Sequence, residues 1–384
     1  MTKYDLDAII CRENTCSIKN DYRDCEEMLC MWVADMDFAV AEPIVEAIKK
    51  RANHPIFGYS YIPDRLYKAV SSWYDRRQGY CYDPKQILTY YSVVSAISLV
   101  LISLTQEEDV VTIMAPTYMN FPPAVNGVNR KIIYSPLINR DNHYEIDFEN
   151  LEDCLSKSKV FLHCSPHNPA GRVWTEEEQC KIASLCLKYK VLVISDEIHS
   201  DLIMPTHKHI PFITVCENAK DFTITLLSAT KTFNLAHNGV AFIMPGNQEH
   251  YQTIKKNMDK FHLGSMNIFA TTAVLAAYES GEEWLEQVIL YVENNYKIAK
   301  NFIEEKLSKI KVLPLEGTYL MWLDCRNLGM SVTDFFEKNA KILGEDGILF
   351  GQYGAGYYRI NIATSRLIID KMLSRMEKTY QEML

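Results

Sequence analysis

The chain has no excess of positive charge and no basic run. Its 40 lysines and arginines are outnumbered by 49 acidic residues, a formal net charge of −9 over 384 residues. Nucleic acid and anionic membrane surfaces both want a positive face, so neither is expected as a partner. The N-terminal MTKYDLDAII has no apolar leader segment, and no signal peptide is expected. The longest apolar stretch, around Val93–Leu104, is too short to span a bilayer and reads as a buried helix. Eleven cysteines contain no CxxC pair. Cys11/Cys16 and Cys25/Cys30 share a C-x4-C spacing but have no histidines at zinc-finger distances. Reduced thiols in a cytoplasmic protein are therefore expected. No G-x4-GK[ST] loop exists, and GAGYYR at Gly354–Arg359 lacks a third glycine and runs into a strand, so P-loop and dinucleotide readings fall away. His207 and His209 lie in THKH, which reads as a polar loop, and no metal is expected. Repeats, low-complexity segments and flexible linkers are also missing.

What is present is a βα rhythm in a chain that is 48% hydrophobic, enough for a large core and more than one domain. DVVTIMAP (Asp109–Pro116), KVFLHCSP (Lys159–Pro166), VLVISDE (Val191–Glu197) and FTITLLSA (Phe222–Ala229) are near-continuous apolar runs rich in β-branched residues. Such runs suit strands covered on both faces. Helical patterns separate them, one opening with a capping box of Thr175 and Glu178. Alternation of this kind predicts a mostly parallel central sheet with helices on both faces. Beyond Glu282 a long amphipathic helix carries Leu285, Val288, Ile289, Val292, Tyr296, Ala299, Ile303 and Leu307 on one face. GTYLMWLDC, a helix opening SVTDFFEK, YYRINIA and a helical tail from Ser365 follow. The expected division is a large domain over residues 51–284 and a smaller α+β domain built from residues 1–50 and 285–384.

Ligands of open α/β sheets sit beyond the carboxyl ends of the strands. Four successive predicted strand ends carry Tyr118, Asn168, Asp196 with His199, and Ser228 with Lys231. Taken singly, Asp196 would cap a helix, Asn168-Pro169 would make a turn, and Lys231 would be a surface charge. Together they are what an aromatic aldehyde with a ring nitrogen and a phosphate requires. A desolvated lysine amine can condense with a carbonyl. A carboxylate keeps a pyridine nitrogen protonated. An amide can hydrogen-bond a phenolate oxygen, a tyrosine can stack on a ring, and hydroxyls at a helix start can hold phosphate. The cofactor these groups suit is pyridoxal 5'-phosphate.

At this point HNPAGRVW, SDEIHSDL and SATKTFN resemble the fold-type I aminotransferase superfamily, which depends on pyridoxal phosphate. WVADMDF (Trp32–Phe38), FGYSY (Phe57–Tyr61) and YRINIATSR (Tyr358–Arg366) further resemble its MalY/PatB branch, the cystathionine β-lyase or C–S lyase group. The resemblance implies that Lys231 carries the cofactor, Asp196 pairs with its ring nitrogen, Asn168 meets its phenolate oxygen and Tyr118 stacks on it. It also implies a phosphate site at Ser228, Val93 and Val94, with Tyr59 reaching in from a neighbouring subunit, His199 beside the cofactor, and Arg359 on the substrate carboxylate. Asp35, Asp37 and Trp174 are expected to line the mouth. A homodimer with its sites at the interface would cleave a sulfur amino acid to pyruvate, ammonia and a thiol; the alternative is an aminotransferase using the same lysine. The chain departs from the branch at Tyr91-Ser92, where Pro-Gly is usual, and at His237-Asn238-Gly239; superfamily aminotransferases commonly have a tyrosine at His199, where this branch tolerates histidine. Nor does the region after Lys231 supply the arginine that often binds the phosphate.

Overall fold

Apolar runs become strands where both of their faces can be covered, and the computed structural model, which describes residues 3–21 and 27–383, places them so. In chain order the strands are β1 (Leu29–Cys30), β2 (Leu88–Tyr90), β3 (Val110–Ala115), β4 (Lys131–Arg140), β5 (His143–Ile146), β6 (Val160–Cys164), β7 (Leu192–Asp196), β8 (Thr223–Leu227), β9 (Ala241–Pro245), β10 (Lys311–Val312), β11 (Leu320–Asp324), β12 (Ile342–Leu343), β13 (Glu345–Asp346) and β14 (Tyr357–Asn361). The central sheet has eight strands in the order β2-β9-β8-β7-β6-β3-β4-β5. Its middle, β8-β7-β6-β3-β4, is parallel, and every residue of β6 and β8 is buried. The flanks β5, β9 and β2 join antiparallel, so the sheet is mixed.

Helices cover both faces. Val93–Leu104 is apolar nearly all round, as a helix held between a sheet and other helices must be. Its N-cap is Ser92, whose Oγ accepts from the Ser95 N–H at 3.1 Å. Glu176–Tyr189 opens with the expected Thr175–Glu178 capping box. The long helix Glu282–Lys306 buries Leu285, Val288, Ile289, Val292, Ala299 and Ile303. The run SVTDFFEK takes a π-helical form over Asp334–Asn339, burying Phe335 and Phe336.

A second, antiparallel sheet has the order β10-β11-β14-β13, and β1 pairs parallel with β12. Here the N-terminal segment meets the C-terminal third of the chain. One apolar cluster includes Leu6, Trp73, Phe233, Trp284, Leu320 and Tyr380, tying these parts together. No helix among the described residues is long and apolar enough to cross a membrane. No disulfide joins the described cysteines, and Cys25 lies outside the described residues.

Candidate active site

Parallel strands point their carboxyl ends one way, and β3, β6, β7 and β8 lie side by side without interruption. The segments leaving them deliver Tyr118, Asn168, Asp196, His199 and Lys231 to the wall of one cavity of about 250 Å³. Ser92, Val93 and Val94 open the Val93–Leu104 helix onto the same cavity. N–H groups in a first helical turn have no intrahelical acceptor, so this edge suits an anion.

Lys231 lies in the short helix Ala229–Thr232 directly after β8. Its Nζ donates to the Ala34 carbonyl at 2.6 Å, and Tyr319 donates its hydroxyl to the same oxygen at 2.9 Å. Burial, then the nearby Arg359, lower the Lys231 ammonium to about 8, while Asp35, Glu345 and Asp196 pull the other way. Asp196 ends β7, and its Oδ1 accepts from the Ile198 N–H at 3.1 Å in a turn that no helix follows. Burial pushes its carboxyl up to about 7. The next residue, Glu197, accepts from Tyr74 (2.5 Å), Ser195 (2.9 Å) and the Phe212 N–H (3.2 Å), and pairs with His209 Nε2 (3.0 Å). His209 is thus a buried partner of Glu197, which corrects the reading of THKH as wholly a polar loop. His199 is buried with its ring nearly perpendicular to that of Tyr319, 6.1 Å between centroids, and burial, then Lys231 and Arg359, hold its imidazole well below the ordinary value.

Arg359 does not line the cavity but holds its wall. Nη1 donates to Asn168 Oδ1 at 2.8 Å, which leaves the Asn168 amide N–H groups to point elsewhere. Nη2 donates to the Trp32 carbonyl at 3.4 Å and pairs with Glu345, its cross-strand neighbour on β13.

Three expected residues stand elsewhere. Ser228 is buried behind the wall, its hydroxyl turned to the Val240 carbonyl and capping the Thr230 N–H, and Thr230 lines the cavity instead. Tyr59 is fully exposed and borders another hollow, with Ser60, Tyr61 and Ile268. Trp174 is not at any mouth: it is fully buried, with Nε1 bonded to the Cys164 carbonyl at 2.9 Å, because an indole N–H inside a core must find an acceptor. Sequence reasoning missed Ala34, Tyr319 and Glu345. Two of the departures, at Tyr91 and at Gly239, prove to be neighbours. Gly239, at φ +54°, faces the Tyr91 carbonyl, where a Cβ would stand 3.4 Å away, and both residues line the cavity.

A sheet that is parallel at its centre, with an enclosed lysine, carboxylate and amide at adjacent strand ends, defines an α/β protein of the enzyme class that works on a small ligand at that edge. The chain belongs to the aminotransferase class I and II family, which it matches over residues 27–375. It is 37% identical over 356 residues to cystathionine beta-lyase PatB of Bacillus subtilis, covering 91% of this chain and 92% of that one. Cystalysin from Treponema denticola, whose crystal structure contains pyridoxal 5'-phosphate, superposes with a TM-score of 0.95 at 33% identity, over 99% and 100% of the two chains. The PLP-bound C-S lyase from Staphylococcus hominis does so with a TM-score of 0.91 at 31% identity, over 98% of each. The fold is that of these fold-type I proteins, as the motifs implied.

Proposed function

We propose that the chain is a pyridoxal 5'-phosphate-dependent carbon–sulfur β-lyase that cleaves a sulfur amino acid to pyruvate, ammonia and a thiol. The observation that carries this reading is the Lys231 amine, held at 2.6 Å to the Ala34 carbonyl inside the cavity it shares with Asp196 and Asn168. The likeness to cystathionine beta-lyase PatB and to the C-S lyase of Staphylococcus hominis favours a lyase over an aminotransferase.

The residues fit the cofactor. A carboxyl whose burial has pushed it up to about 7 is suited to a cationic ring nitrogen, which would restore its charge. Ser92, Val93, Val94 and Thr230 would face the phosphate, Asn168 the phenolate oxygen, and Tyr118 and His199 the ring. When bound, pyridoxal phosphate supplies an aldehyde for the substrate amine and an acceptor for the electron pair left at Cα. Lys231 takes the proton from Cα. Asp196 holds the proton on the ring nitrogen, and Arg359, whose fork here lies on Asn168 and Glu345 behind the cavity wall, would receive the substrate α-carboxylate by exchanging those partners for it.

The large domain, residues 51–284, would hold the cofactor, and the small domain, residues 1–50 and 285–384, would bring Arg359 to it. The working form is proposed to be a cytoplasmic homodimer in which Tyr59 reaches the neighbouring site. The exposed run Ile56, Phe57, Tyr59 and Tyr61 supports this, since so much bare apolar and aromatic surface is rarely left uncovered.

Purified protein given L-cystathionine is expected to release pyruvate with no oxo acid added. Strict dependence on an added oxo acid, with amine transfer to it, would establish the aminotransferase instead. A second expectation concerns pH. The neutral amine is the form that attacks a carbonyl, so uptake of pyridoxal phosphate by cofactor-free protein should quicken as pH rises through about 8. Stopped-flow absorbance would read this, and a midpoint near the ordinary lysine value of 10.5 would contradict the assignment.

A further inference from the structure

Arg359 is the residue set to meet the substrate carboxylate, yet it already holds a carboxylate of this chain. Glu345 stands opposite it in the register of β13 on β14, and the two side chains pair. Both are enclosed, with 3% of the Arg359 side chain and 10% of that of Glu345 exposed. The other contacts of the guanidinium are neutral. Nη1 donates to Asn168 Oδ1 (2.8 Å), Nη2 to the Trp32 carbonyl (3.4 Å), and the group lies 4.7 Å from the centroid of the Phe350 ring. Arg359 Nε is buried and has no hydrogen-bond partner among the described residues, so one donor of the fork remains to be taken up. The charge of Glu345 also reaches the cavity. Burial is the largest influence on Lys231 and on Tyr118, lowering the first and raising the second, and Glu345 raises both. Joining β13 to β14 does not require this ion pair, because the strands already pair through their backbones and apolar side chains would pack there with less desolvation. Carboxylate binding does not require it either, since an arginine left on neutral acceptors alone takes an anion more readily.

We propose that Glu345 makes Arg359 select α-amino acids against 2-oxo acids. The inference rests on the lyase reading above and names a specificity residue of the same site. Arg359 and Glu345 together carry no net charge. An α-amino acid brings a carboxylate for the guanidinium and an ammonium for Glu345, so the enclosed group stays neutral after the exchange. A 2-oxo acid brings the carboxylate alone and leaves one buried negative charge in excess, which a site shut off from water opposes strongly. This selection suits elimination, because the pyruvate it yields is held weakly and leaves. An aminotransferase must hold an oxo acid on the same arginine, and that is the ligand the pair works against.

The test compares L-alanine, which has no β leaving group, with pyruvate, its oxo acid. Each is equilibrated by dialysis with protein loaded with pyridoxal phosphate. Glu345→Gln should bind pyruvate about tenfold more tightly than the parent or better, the scale of one charged contact, while its affinity for L-alanine should change by less than about threefold. A damaged site would lose affinity for both, so a gain for one ligand separates selection from structural support. Glu345→Asp keeps the charge and should restore at least part of the parent's preference. Added pyruvate should inhibit thiol release from L-cystathionine more strongly in Glu345→Gln, by the same factor as the gain in its binding. Glu345→Met supplies the same ratio of affinities if Glu345→Gln does not fold. Pyruvate bound no more tightly in the neutral variants, or both ligands changed by one factor, would overturn the proposal and leave Glu345 a fastening of Arg359. If L-cystathionine yields no pyruvate without an added oxo acid, the lyase reading fails, while the ratio of affinities still decides this one.

Discussion

Lys231→Ala is expected to lose pyruvate release from L-cystathionine by a factor on the order of 10³ or more, near the top of the range for one general base. The burden falls on this amine because, among the described residues, no other lysine or arginine lines the cavity. Its contact is with a backbone carbonyl, so removal breaks no side-chain pair and strands no buried charge. The variant should therefore fold as the parent does. Two readouts separate a chemical loss from a structural one. Borohydride treatment of the loaded parent should fix the cofactor to the peptide containing Lys231, and in the variant it should fix none there. Unfolding by urea should differ little between the two, because deleting a partly buried methylene stem at a cavity wall removes few packed contacts. Activity persisting within tenfold of the parent would sink the assignment.

The strand ends were legible because burial on both faces leaves a run of β-branched residues with no polar alternation, and such a run can be read without any partner. That is why β3, β6, β7 and β8, with the residues that follow them, could be located from the chain alone. The hairpin of β4 and β5 was not: KIIYSPLINR mixes exposed and half-buried positions and contains a proline. β2 is three residues long and β9 joins antiparallel, so neither belongs to the βα rhythm. At the site, what was missed acts through the backbone or across great sequence distance. Ala34 contributes only a carbonyl, and an alanine side chain advertises nothing. Tyr319 reaches that carbonyl across 285 positions. Glu345 sits on a two-residue strand inside ILGEDG, and only the register of β13 against β14 sets it opposite Arg359. Trp174 and His209 fail in the other direction. Each stands in a polar-looking loop, and each proves to be fixed in the interior by one hydrogen bond to a residue the local pattern cannot identify.

The other large effect is expected at Asp196. Its backbone is locked into the sheet, opposite Cys164 on β6 and Leu226 on β8, so the carboxyl has little freedom to retreat. Burial is the largest influence on it, the Ile198 N–H opposes this, Glu197 raises it further, and Lys231 lowers it, leaving about 7. Asp196→Asn keeps the volume and the oxygen that accepts from Ile198, and removes only the charge. Leaving a buried cation without its counter-ion costs about 3–5 kcal/mol, which is on the order of 10²- to 10⁴-fold in kcat. Cofactor-free protein adds a test that does not depend on turnover. There the folded carboxyl lies above its ordinary value of 3.8, so the fold favours the protonated form. The resulting stability is fully present below 3.8 and is lost as pH rises through about 7. Urea unfolding of the cofactor-free parent should follow that trend relative to Asp196→Asn, which has no proton to lose there. With pyridoxal phosphate bound the sign reverses, since a cationic ring nitrogen favours the carboxylate, and the parent should gain on the variant as pH rises. A kcat for Asp196→Asn within tenfold of the parent, or the same pH trend with and without cofactor, would remove Asp196 from the ring nitrogen.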